Sequence, residues 1–191
     1  MRKRLFCLLL SAVLILSGCG GNREKPADWE ADWTVVCPVL AAEPFEGFTL
    51  HEINDALYLN GIYYATWVTG DPRPHTNENG EEAQVFDGQI YVIVQEYRSS
   101  HSAGSGLAQW ITREKQTYET GSESTVTCAG QEYTLLPLLR GKETNPYTHG
   151  AAAFGLRGEW AVCVEVLGAD GYEADTEQIL EAFLTGFHFS E

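Results

Sequence analysis

Basic residues are scarce in this chain: 12 lysines and arginines stand against 27 aspartates and glutamates, a formal charge of −15 over 191 residues. Such a shortage of cations argues against nucleic acid as a partner, because affinity for a phosphate backbone comes from lysine and arginine. It also argues against adhesion to anionic lipid by charge alone. Long apolar runs are missing too. The stretch from Leu5 to Leu16 has 12 residues, short of the roughly 20 that a helix needs to span a bilayer. No CxxC pair or Cys/His spacing of a zinc site occurs, so no metal is expected. Hydrolase motifs are equally lacking. In HSAGSGLAQW (101–110), His101, Ser102 and Ser105 crowd near glycines, but Gly104 and Gly106 directly flank Ser105 and no G-x-S-x-G nucleophile elbow results. No catalytic residue and no cofactor is assigned.

What is present at the start is a basic cluster (Arg2, Lys3, Arg4), the apolar stretch, and Ser17-Gly18 ahead of Cys19. This is the layout of an export signal. The residues Leu16-Ser17-Gly18-Cys19 resemble the lipobox of bacterial lipoproteins, in which the cysteine receives a diacylglycerol and the chain is cut just before it. That resemblance implies a signal peptide over 1–18, lipidation of Cys19, and a protein held on the cell membrane, facing outside the cytoplasm. Two acyl chains give stable attachment where one is marginal, so the membrane is the expected partner through the lipid. The signal takes three basic residues with it and leaves 173 residues of formal charge −18, an ordinary size for one domain. Residues 19–31, glycine-led, charged and non-periodic, read as a lipidated tether, and 32–191 as one globular domain.

Of five cysteines, Cys7 belongs to the signal and Cys19 to the lipid, leaving Cys37, Cys128 and Cys163. An oxidising compartment permits one disulfide among these three, with the pairing open, and buried thiols are the competing reading.

From Trp33 onwards strand-like and helix-like stretches alternate. WTVVCPV (33–39) reads as an edge strand bounded by proline. IYYATWV (62–68) and QIYVIVQEY (89–97) are apolar on both faces and read as mid-sheet strands. STVTCAGQEYTLLPL (124–138) and AAAFGLRGEWAVCVEVL (151–167) each carry a turn signal and read as hairpins. The spacing of Leu50, Ile53 and Leu57 predicts a helix over 50–60, although Asn60-Gly61 also fits a hairpin turn. Leu107, Trp110, Ile111 and Tyr118 predict a helix over 105–120, capped by Ser105 and ended by Gly121. Asp175 with Gln178, then Ile179, Leu180, Phe183 and Leu184, then Gly186, predict a last helix.

The expected fold is α+β: a single domain with an antiparallel sheet of about five to seven strands and two or three packed helices. This element order, over residues 33–189, resembles the PsbP-like α/β/α fold of small exported lipoproteins. The resemblance implies a non-catalytic binding or accessory role and carries over no site residue.

Two stretches invite a functional reading. DPRPHTNENGEE (71–82) gathers oxygen donors on a glycine turn, but Arg73 and His75 stand where an EF-hand loop has oxygen ligands, so a solvated loop is the plainer reading. Tyr58, Tyr63, Tyr64, Trp67, Tyr91, Tyr97 and Trp110 either fill the core or line a pocket. A ligand groove near Tyr63, Trp67 and Trp110 is the candidate site. The expected function is a non-catalytic envelope module that binds a protein, a cell-envelope polymer or a small ligand. An envelope hydrolase and a small solute-binding subunit are the alternatives.

Overall fold

The structure, a computed structural model, describes residues 32–54, 61–76, 80, 82–142 and 144–189. In chain order its elements are β1 (Thr34–Cys37), β2 (Leu40–Ala42), β3 (Thr49–Asn54), β4 (Ile62–Thr69), β5 (Arg73–Thr76), β6 (Glu82–Val85), β7 (Gly88–Glu96), α1 (Ser100–Thr117), β8 (Tyr118–Thr120), β9 (Ser124–Cys128), β10 (Gln131–Gly141), β11 (Tyr147–Arg157), β12 (Trp160–Ala169), α2 (Thr176–Thr185) and β13 (Phe187–Phe189). The fold is α+β and antiparallel with two helices, as expected, but it has more strands than the five to seven read from the sequence. The excess comes from short elements, β1, β2, β5, β6, β8 and β13, of three or four residues each. Alternation over so few residues is too brief to register as a strand.

The main sheet runs β3-β4-β7-β12-β11-β10-β8, with β9 also paired to β10. β7 and β12 sit near its middle, and β12 is apolar on both faces apart from Glu165. Val162, Val164 and Val166 point to one side, while Ala161, Cys163 and Leu167 point to the other. α2 and the small β1-β2-β13 sheet close the first side, and α1 closes part of the second. On the α2 side, Leu180, Phe183, Leu184 and Phe187 are almost wholly buried, each contributing about 1.5–3 kcal/mol by leaving water.

Both predicted hairpins form. In the β9–β10 hairpin the turn is Ala129-Gly130, with φ of 47° and 76°. That left-handed pair is the type I′ geometry that matches the twist of two-residue hairpins. α2 also follows the sequence reading: the Asp175 side chain accepts the Gln178 N–H at 3.0 Å, and Gly186 ends the helix.

The other two helix expectations need correction. Thr49–Asn54 is a strand, not the start of a helix over 50–60, and residues 55–60 lie outside the described residues. Leu50 and Ile53 mimic helical spacing because a bulge at His51 shifts the register: Leu50 pairs with Trp67 and Ile53 with Ala65. One extra residue puts positions three apart on the same sheet face. The 105–120 helix starts earlier and ends sooner. Ser99 caps it by accepting the Ser102 N–H at 3.2 Å, Ser105 instead donates its hydroxyl back to the His101 carbonyl at 3.1 Å, and Tyr118 belongs to β8.

The 71–82 stretch is not simply a loop, since β5 and β6 pair across it from Arg73–Val85 to Thr76–Glu82. Residues 77–79 and 81 lie outside the described residues. Among the described residues no three His, Cys, Asp or Glu side chains are grouped to hold a metal.

Candidate functional site

The anticipated groove does not form, because its three rings lie on opposite faces of the main sheet. Trp67 is 2% exposed, edge-on to Phe183 at 5.1 Å in the α2-side core. Tyr63 packs on the same side beside Trp160, with ring centroids 6.1 Å apart. Trp110 sits on α1, against the core on the far face. Large rings on β4 and α1 suggest a shared groove, but parity along β4 sends Tyr63, Ala65 and Trp67 away from α1.

The cysteines are divided in the same way. Cys37 and Cys128 face the α2-side core and Cys163 the α1-side core. All three are buried. The body of the sheet separates Cys163 from the other two, which rules out a pairing of Cys163 with either of them. Burial pushes the Cys163 thiol well above its ordinary range, and the neighbouring Glu165 adds to this. Cys19 lies outside the described residues.

The histidines are dispersed. His188 stacks on Trp33 with centroids 3.8 Å apart and meets Glu43 at 3.2 Å. His51 packs edge-on to Phe86, and His149 faces the Thr148 hydroxyl at 3.2 Å.

What the structure does assemble is a charged cluster beneath α1. The buried stripe of α1 runs Ala103, Leu107, Glu114, so the seven-residue step from Leu107 lands a carboxylate where the pattern calls for an apolar side chain. On β12 the same happens: the α1-facing positions Ala161, Cys163, Glu165 and Leu167 include one acid among apolar neighbours. These two interruptions meet. Glu114 and Glu165 are 4% and 7% exposed, the two buried acids among the described residues.

Arg113 serves both carboxylates. Its Nε donates to Glu114 Oε1 at 2.9 Å, and its Nη2 lies 3.7 Å from Glu165 Oε1. The Cys163 thiol donates to Glu165 Oε1 at 3.5 Å. From β7, Tyr91 stands directly opposite Glu165 in the strand register and stacks obliquely against Tyr64 at 5.9 Å. Further along the same face, the Tyr147 hydroxyl donates to Gln89 Oε1 at 2.6 Å.

The electrostatics follow from two buried acids and one guanidinium. Burial, then repulsion from Glu114, pushes Glu165 up to about 8, with Arg113 pulling the other way. Burial beside a second carboxylate thus shifts Glu165 towards its neutral form. Burial works against the Arg113 charge, yet the two carboxylates hold the guanidinium above its ordinary value. Burial and the facing Glu165 push the Tyr91 hydroxyl far upward, so it remains a neutral donor.

Such a group can store one proton and give it up when water enters. Both carboxyl groups are buried where α1 meets the sheet. Of the three charged side chains only Arg113 reaches the surface, at the side of a shallow depression along α1 lined by Ala108, Gln109, Thr112 and Gln116. Sequence reading misses the cluster, although a lone acid inside WAVCVEVLGA and an acid on the buried stripe of α1 are both visible signals.

These features define an α+β domain with one helix on each face of an antiparallel sheet and a buried acid pair under one of them. No family model matches the chain, and no curated protein matches it. A solved structure similar to it is the solution structure of cyanobacterial PsbP (CyanoP) from Synechocystis sp. PCC 6803. The two align with a TM-score of 0.39 at 10% identity, over 77% of this chain and 95% of that one. A likeness that loose brings no function and no site residue with it.

Proposed function

We propose that this chain is a lipid-anchored extracytoplasmic protein, serving as a non-catalytic binding or accessory module of the bacterial cell envelope. The observation that carries the reading is Leu16-Ser17-Gly18-Cys19, placed directly after a basic start and a 12-residue apolar stretch. Diacylglycerol on Cys19 would supply the attachment that an acidic domain cannot obtain from anionic lipid by charge. Among the described residues no helix is long and apolar enough to cross a membrane. The partner is a protein, an envelope polymer or a small ligand met outside the cytoplasm.

The test is expression of the full chain in a bacterial host, as wild type and as Cys19→Ala. The wild type is expected in the membrane fraction, with the mass of a chain that begins at a diacylated Cys19. The variant is expected to be released or to keep its leader. Unchanged mass and unchanged attachment in the variant would overturn the proposal.

A further inference from the structure

The two places where the apolar pattern fails, one on a helix and one on a strand, fall in direct opposition. Elsewhere α1 is held conventionally: Ala103, Gly106 and Leu107 bury its first half, and Gly106 lies against Tyr97. In the last two turns the one buried side chain is Glu114. The C-terminal half of the helix therefore rests on the sheet through the partly buried Trp110 and Ile111 and, at its last buried position, through a carboxylate where a structural helix would use a leucine. Sequences that specify a single rigid state keep pattern and packing consistent, and departures mark functional sites.

We propose that α1 is latched to the sheet by a proton held between Glu114 and Glu165, so that its C-terminal half loosens as that proton is lost. Polar neighbours among the described residues come from several elements. Cys163 on β12 donates to Glu165, Tyr91 on β7 faces it, and Arg113 and Glu114 approach from α1. Tyr118 on β8 feels the same charges at longer range, with Tyr147 on β11 beside it, and Tyr64 on β4 lies against Tyr91. The inward residues of β10, Leu136 and Leu138, are apolar. One guanidinium neutralises one carboxylate, so the second must stay protonated or the helix must admit water.

The direction of the effect follows. In the closed state Glu165 holds its proton up to about pH 8, whereas in an opened, hydrated state it ionises near the ordinary carboxylate value of about 4.3. Opening thus releases a proton, and the opened population rises with pH between these limits, by at most about tenfold per unit. Above the upper limit both states are ionised and the dependence flattens. Opening would uncover Tyr91 and Cys163. The latch does not depend on how the chain is anchored.

Amide hydrogen exchange of the purified protein at pH 5.5, 6.5 and 7.5, with labelling times scaled for base catalysis, reads the opening directly. Protection over 110–117 is expected to fall by several-fold per pH unit, while α2 keeps its protection. Glu165→Gln should abolish the slope and hold the segment protected at pH 7.5. A flat wild-type profile, a parallel loss in α2, or a slope that survives in Glu165→Gln would overturn the latch. The wild-type measurement stands even if the variant fails to fold.

Discussion

Gly106 of α1 lies directly on the hydroxyl end of Tyr97, leaving no space for a methyl group. Two residues earlier, a Cβ on Gly104 would meet nothing nearer than Leu156 Cδ1 at 3.9 Å. Both glycines sit inside a helix, where each costs about 1 kcal/mol relative to alanine.

Alanine at the two positions should therefore have opposite effects. Gly104→Ala recovers the propensity and is expected to stabilise the domain by about 0.5–1 kcal/mol. Gly106→Ala must displace the Tyr97 ring, whose hydroxyl donates to Gln95 at 3.0 Å. Overpacking costs about 1–3 kcal/mol, so this variant should be less stable than wild type despite its better propensity. Urea midpoints of the two variants decide the matter, and equal shifts of the same sign would contradict the packing.

The acid pair should also set how global stability varies with pH. A carboxyl whose folded value is raised contributes its full stability below its unfolded value and loses it as pH rises towards the folded one. For Glu165 the window runs from the ordinary carboxylate range up to about 8. Glu165→Gln keeps the shape without the charge, so its denaturant midpoint should vary less across pH 5–8 and exceed the wild-type midpoint at pH 8. A variant that is less stable than wild type at pH 8 would show that the carboxylate is favourable when ionised.

Elements built on long alternating runs are legible in the sequence: β7, the β9–β10 and β11–β12 hairpins, and α2 with its Asp175 cap. Two kinds of information are not. The bulge at His51 turns period two into an apparent period of three and disguises a strand as a helix. Face assignment is the other failure, because Tyr63, Trp67 and Trp110 are near one another only if strand parity is ignored. The charged cluster escapes for a related reason. An isolated acid in an apolar run has meaning only through what faces it, and Glu114 and Glu165 stand 51 positions apart.

Thiol chemistry follows from the same division of faces. Cys163 is wholly buried and its thiol is pushed upward, while Cys128 is slightly more open at 7% exposure. Alkylation requires a thiolate with access to the reagent. In the native protein at pH 8, iodoacetamide with peptide mapping should find Cys163 protected until unfolding, and Cys128 should react sooner than Cys163. Rapid labelling of Cys163, or recovery of Cys163 in a disulfide-linked peptide pair, would refute the arrangement.

Ala129 is the described residue other than glycine with positive φ, and it holds the first central position of the β9–β10 turn. Left-handed backbone costs an alanine about 1–2 kcal/mol, because its Cβ crowds the following carbonyl oxygen. Asparagine tolerates that region better, and Asn-Gly is the preferred pair for this turn. Nothing about the position demands alanine: it is exposed, next to Gly130, and at the far end of the hairpin from Leu135, which packs into the core. Ala129→Asn should thus raise stability by about 0.5–1 kcal/mol without moving either strand. Thermal unfolding measures the gain. A loss of stability would mean that the hairpin turns by a different geometry, and with it that the register Gln131–Cys128 through Leu135–Ser124 is wrong.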